Sequence, residues 1–144
     1  MNANGPSSTE AASRPAIIEK ELSREIVAAF YDVYNALGFG FLESIYAKAL
    51  EIALPRRGLF VQREAACEIY FMGERVGVHR ADMIVEHRIV VEVKAAQALA
   101  DINKRQLLNY VSAFGLRLGI LLHFGPKPSF HRVLGTRRYD DTRE

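Results

Sequence analysis

The stretch His79–Lys94, reading His-Arg-Ala-Asp-Met-Ile-Val-Glu-His-Arg-Ile-Val-Val-Glu-Val-Lys, constrains the chain more than any other. It reads as two apolar β-strands joined by a short polar turn at Glu86-His87-Arg88. Asp82, Glu92 and Lys94 interrupt the apolar strands. Strand side chains alternate faces, so Glu92 and Lys94 share one face while Val91 and Val93 take the other. A hairpin symmetric about His87 sets Asp82 opposite Glu92, and directly opposed residues bring their Cβ atoms to roughly 5 Å. Like charges facing each other are unfavourable unless a positive charge lies between them. A divalent cation meets that requirement.

The rest of the chain is large enough to bury such a hairpin. Its 144 residues suit one domain with one core, and 49% hydrophobic with 25% charged residues suits a globular protein. A net charge of +2 is too weak to demand a nucleic-acid partner and does not oppose one. The single cysteine, Cys67, excludes an intrachain disulfide and any multi-cysteine zinc site; we read it as a half-buried strand residue. No apolar run approaches the ~20 residues that span a bilayer. The N-terminal stretch lacks the basic-then-apolar order of a secretory signal. We therefore expect a cytoplasmic protein with no membrane partner.

Residues 1–15 show no periodic apolar face and are expected to form a disordered leader. From about Glu19 to Leu37, Leu22, Ile26, Phe30, Val33 and Leu37 recur at helical spacing, and Gly38 supplies a stop. A second helix is expected over Leu42–Leu54, ended by Pro55 and Gly58, with Leu42, Ile45, Tyr46, Ala49, Leu50 and Ala53 inward. Glu43 falls in its first turn, where the helix dipole favours a carboxylate. Strands are expected over Leu59–Phe71, Val76–Val85 and Ile89–Ala95 as an antiparallel meander. A third helix follows, with Asp101 as its N-cap, Ile102, Leu107, Leu108, Val111 and Phe114 inward, and Gly115 as its stop. Gln106 and Tyr110 lie one turn apart on it. Leu116–Phe124 is continuously apolar, as for a strand buried on both faces, and Phe130–Leu134 is a short last strand. The expected domain spans 16–135, followed by a charged tail, 136–144. The fold class is α/β (α+β mixed sheet), because the third helix must cross over to return Leu116–Phe124 to the same sheet.

An acid followed about ten positions later by Glu-x-Lys on the adjacent strand suits a metal-dependent hydrolase, with oxygen ligands for Mg²⁺ or Mn²⁺. The plain alternative is an exposed sheet face on which Lys94 answers Asp82 and Glu92 as a salt bridge. The motifs Asp82…Glu92-Val93-Lys94 and Gln106-x-x-x-Tyr110 resemble the PD-(D/E)XK nuclease superfamily, the second its exonuclease-like branch. Gly40-Phe41-Leu42-Glu43-Ser44-Ile45-Tyr46 resembles the G-x-x-E-x-x-Y signature of the small GxxExxY proteins within it, and Leu121–Gly125 fits the same pattern. The resemblance covers about Glu19 to Leu134. It implies a restriction-endonuclease-like core, αβββαβ with an extra N-terminal helix. It implies Glu43, Asp82, Glu92 and the Val93 carbonyl as metal ligands, and Lys94 as the catalytic lysine. Gln106 would position the substrate or the lysine, with Tyr46 and Tyr110 in support. Ala81 stands where the motif has proline, and His123 where the family has asparagine; His123 receives no catalytic role. His79 reads as a strand-surface histidine.

The expected function is a metal-dependent nuclease that hydrolyses phosphodiester bonds of nucleic acid, with DNA preferred to RNA. The alternatives are a nucleic-acid-binding module that keeps the fold without turnover, and a homodimer or other oligomer using Phe39–Phe41 and Phe130.

Overall fold

The computed structural model describes residues 8–135, with side chains from residue 19 onward. Helices α1 (Ser8–Leu37) and α2 (Glu43–Arg56) precede strands β1 (Val61–Phe71), β2 (Glu74–Val85) and β3 (Ile89–Lys94). Helix α3 (Asp101–Ala113) then leads to β4 (Leu118–Phe124) and β5 (Pro128–Leu134). This is the expected element order. The strands form one sheet in the order β1-β2-β3-β4-β5. Only the β3–β4 pair is parallel, and it is the pair that α3 bridges.

Two apolar layers enclose the sheet. On one side, Phe30 and Val33 of α1 and Tyr46 and Leu50 of α2 pack on Val91 of β3 and Phe124 of β4. On the other, Leu107 and Val111 of α3 pack on Ile84, Val90 and Leu121. Strand β4 is buried along its whole length because both layers cover it. Gly119 permits the close approach of α3: a Cβ there would stand 2.5 Å from Val111 Cγ2.

Several boundaries and faces differ from expectation. Helix α1 begins at Ser8. Residues 1–7 and the tail 136–144 lie outside the described residues. Helix α2 buries Tyr46, Ala47, Leu50 and Leu54, while Leu42 and Ile45 are exposed. Leu42 is the N-cap with extended backbone, so the helical period starts at Glu43. Pro55 lies inside the last turn rather than ending the helix. Asp101 sits in the first turn of α3, one place after its Ala100 cap, and Ile102 is exposed. Phe130 is half-buried, edge-on to Tyr31 and beneath the Arg132 guanidinium, rather than an exposed contact.

The β2–β3 hairpin has the expected symmetry: Val85 pairs with Ile89, Ile84 with Val90 and Met83 with Val91. Glu86 and His87 take positive φ to make the turn, closed by Arg88 N–H donating to Val85 O at 3.0 Å. The ladder stops at Asp82. On its other side, β1 and β2 pair at Arg63–Met83 and again at Ala65–Ala81, but not at Glu64–Asp82. Glu64 has φ +52°, unusual for a non-glycine residue. Strict alternation puts residues 81, 83 and 85 on one face. Here Met83 and Val85 join the α1/α2 layer, whereas Ala81 joins the α3 layer. Val61 and Ala65 divide between the layers in the same way, so both strands change face across Glu64 and Asp82.

The left-handed conformation at Glu64 costs a residue with a Cβ roughly 1–2 kcal/mol, most for a β-branched one. Glu64→Gly removes that strain but loosens the unfolded chain by a smaller amount, so its stability should stay within about 1 kcal/mol of wild type. Glu64→Val should lose about 1–2 kcal/mol. Urea denaturation measures both; equal stability of the valine variant would contradict a strained face switch.

Candidate active site

Asp82 and Glu43 reach the C-terminal end of β3, which carries Glu92, Val93 and Lys94. Val90 lies in the α3 layer, so Glu92 and Lys94, two and four residues on, project from that same face. Asp82, released from both ladders, turns its carboxylate onto β3 and accepts a hydrogen bond from Val93 N at 2.7 Å. Its own carbonyl accepts from Arg63 Nε at 2.9 Å, in place of the missing ladder partner. Asp82 is thus held through backbone and side chain at once.

Glu43 reaches the same strand end from the opposite layer. Its Oε2 accepts from Ala95 N at 3.1 Å. The loop before α2 makes this possible. Buried Tyr46 donates its hydroxyl hydrogen to Gly38 O at 2.5 Å and accepts from Phe41 N at 3.1 Å, while its ring stacks 4.0 Å from Phe124. Gly38 and Gly40 supply the positive φ values of that turn. The Gly-x-x-Glu-x-x-Tyr spacing therefore has a local cause. The glycine allows the turn, the tyrosine clips it to the core, and the glutamate three residues earlier begins the helix above β3.

Tyr110 and Gln106 are less alike than their spacing suggests. Tyr110 lies flat on the His79 ring, with centroids 3.4 Å apart and planes within 3°. Gln106 is exposed one turn earlier. The His79 Nε2 contacts Glu92 Oε1 at 3.0 Å, and these side chains are only 23% and 12% exposed. The reading of His79 as a surface histidine is thereby overturned. Counting alternate residues back from Met83 puts His79 on the wrong face; the face switch at Asp82 delivers it to Glu92. His123, also without an expected role, is buried, and its Nε2–H donates to Ala96 O at 2.7 Å. The loop leaving β3 is therefore clipped by Glu43 at Ala95 and by His123 at Ala96.

Burial pushes the Glu92 carboxyl from its ordinary 4.5 up to about 9, and the adjacent Asp82 charge pushes the same way while Lys94 opposes it. Burial also lowers His79, an effect that Lys94 reinforces and Asp82 opposes. Both directions favour uncharged partners, so the 3.0 Å contact is a hydrogen bond rather than an ion pair, and a hydrogen bond to Asp82 raises the Glu92 carboxyl further. Lys94 is absent from the ion pairs among the described residues, so a simple Lys94 salt bridge does not account for the cluster. Among the described residues no three acidic, histidine or cysteine side chains form a ready-made metal cluster. Two adjoining carboxyls, one of them short of positive charge, nevertheless have the hard oxygen chemistry that Mg²⁺ or Mn²⁺ takes. A third, Glu43, is held one residue beyond Lys94.

Two variants follow from this arrangement. Tyr46→Phe leaves Gly38 O and Phe41 N without their partner and should cost about 1–3 kcal/mol in urea unfolding; an unchanged midpoint would contradict the clip. Glu92, with its raised folded pKa, contributes stability that is complete below about 4.5 and is lost as pH rises towards about 9. Glu92→Gln removes the ionisation. In metal-free protein its melting temperature should exceed that of wild type by a margin that widens across this pH range, as followed by calorimetry. A margin independent of pH would show that the carboxyl is not raised.

The family model of the PD-(D/E)XK nuclease superfamily matches residues 20–133. An uncharacterized protein of Treponema pallidum (strain Nichols) is 34% identical over 80 residues, 53% of this chain. The chain spans 19% of that curated relative's length. Among solved structures, SSO0001 superposes with a TM-score of 0.50 at 24% identity, over 90% of this chain and 68% of that one. An alkaline exonuclease (LHK-Exo) from Laribacter hongkongensis gives 0.48 at 10% identity, over 69% and 58%. The five-stranded mixed sheet, with the order α2-β1-β2-β3-α3-β4 at its centre, is a restriction-endonuclease-like core. With the family model covering most of its length, the chain belongs to the PD-(D/E)XK nuclease superfamily.

Proposed function

We propose that this chain is a metal-dependent nuclease of the GxxExxY type, acting in the cytoplasm, that hydrolyses phosphodiester bonds of DNA. The observation that carries the reading is the meeting of Asp82 with Glu92 at the end of β3, beside Lys94. A buried acid whose protonation is favoured this strongly is expensive as structure alone and suits a site that receives positive charge.

Asp82, Glu92 and the Val93 carbonyl would hold the ion, with Glu43 as the ligand from α2. Mg²⁺ or Mn²⁺, when bound, supplies an activated water and neutralises phosphodiester charge. The chain's own groups do the rest. Lys94 follows Glu92 on the same strand face and acts on the attacking water or on charge developing at phosphorus. Arg63 and Val93 N keep Asp82 from turning away. Gln106, exposed on α3, is placed to meet the nucleic acid rather than the protein interior.

The test is cleavage of single-stranded, duplex and branched DNA by the purified chain with Mg²⁺ or Mn²⁺. Wild type should cleave at least one of them. Lys94→Ala and Glu92→Gln should lose about 10²-fold or more in rate while keeping the native circular dichroism spectrum. If all three substrates survive with either metal, the catalytic reading fails, and retention in a gel shift would then favour a binding module with the same fold.

A further inference from the structure

The His79 ring is fixed on two sides. Its Nε2 meets Glu92 Oε1 at 3.0 Å, and one face lies on Tyr110 at 3.4 Å with the planes 3° apart. A hydrogen bond at the ring edge sets where Glu92 Oε1 can lie; a flat stack on the ring face sets the plane in which that edge can turn. The two contacts come from different elements, β3 and α3. The histidine comes from a third, β2, and only because β1 and β2 change face at Glu64 and Asp82. A surface histidine needs none of this. A strained residue and an interrupted ladder stand where they bring this imidazole to the acid.

We propose that His79 is a positioning residue for Glu92, and that Tyr110 acts through it as a clamp. The orientation of Glu92 is then set by Tyr110, His79 and Glu92 acting in series, and Tyr110 need not touch the substrate to matter. Groups that orient a metal-binding carboxylate typically change metal affinity by about 10- to 100-fold when removed. Stacking requires a flat ring, whereas the edge contact requires a nitrogen or oxygen donor or acceptor. The two links therefore respond to different substitutions. The metal part of this assignment rests on the nuclease reading; the positioning of Glu92 does not.

Two measurements on the full chain separate them. The first is the ¹³C resonance of the Glu92 side-chain carboxyl in metal-free protein, assigned by its loss in Glu92→Gln. His79→Ala and Tyr110→Ala should move it towards the resonances of exposed glutamates, and Tyr110→Phe should leave it in place. A resonance unmoved by both alanine variants overturns the proposal. The second is Mn²⁺ binding by calorimetry. His79→Ala and Tyr110→Ala should weaken it about 10- to 100-fold, with Tyr110→Phe restoring the affinity and His79→Gln recovering part of it. Equal affinity in wild type and His79→Ala would also overturn it. If wild type takes up no Mn²⁺, the nuclease reading fails, and the carboxyl resonance alone decides the positioning. Should His79→Ala not fold, the Tyr110→Ala and Tyr110→Phe pair carries both measurements.

Discussion

An acid on the central strand of a buried sheet is the constraint to which the rest of this molecule answers. Val90, Val91 and Val93 belong to the core, and Glu92 stands among them with its carboxyl mostly out of water. Water solvates such a group poorly, and Asp82 adds a second negative charge alongside. Without compensation this arrangement destabilises the fold. The metal-free compensation is a proton on Glu92, favoured by burial and by Asp82 alongside. In the proposed nuclease a divalent cation would take the place of that proton.

Much of the surrounding structure keeps the acids where that exchange can occur. Asp82 leaves both of its ladders, and Arg63 and Val93 N take up its freed carbonyl and its side chain. Glu43 and His123 secure the two residues that follow Lys94, at Ala95 N and Ala96 O. Tyr46 links the turn that carries Glu43 to the core through Phe124. Some of these contacts are local, Tyr46 to Gly38 and Asp82 to the neighbouring strand, while Glu43 to Ala95, His123 to Ala96 and Tyr46 to Phe124 join distant parts of the chain. The site is therefore assembled by the tertiary fold rather than by one local motif.

That division explains what could be read from the sequence. The hairpin was legible because its polar turn and flanking apolar strands leave one symmetric register, and a one-residue slip would expose the valines of β3. The parallel β3–β4 crossover followed from an apolar strand after a helix. The buried face of α2 keeps the expected Tyr46 and Leu50, but it is flanked by Ala47 and Leu54 rather than by Ile45, and Leu42 lies outside the helix as its extended N-cap. His79 could not be placed at all by alternation, since the rule assumes an unbroken pleat. Glu64 breaks it, and a glutamate carries no sequence signal for a positive φ. Glu43 and Gln106 were indicated by resemblance. The fold brings Glu43 to β3 and leaves Gln106 facing solvent.

The claim that these acids form one metal site is tested most directly by diffraction from crystals soaked in Mn²⁺, using anomalous scattering at the manganese edge. An anomalous peak should appear between the Asp82 and Glu92 carboxylates, near Val93 O, with Glu43 in its ligand sphere. Fully soaked crystals that diffract well, yet show Glu92 still bonded to His79 and no peak between the two acids, would contradict it.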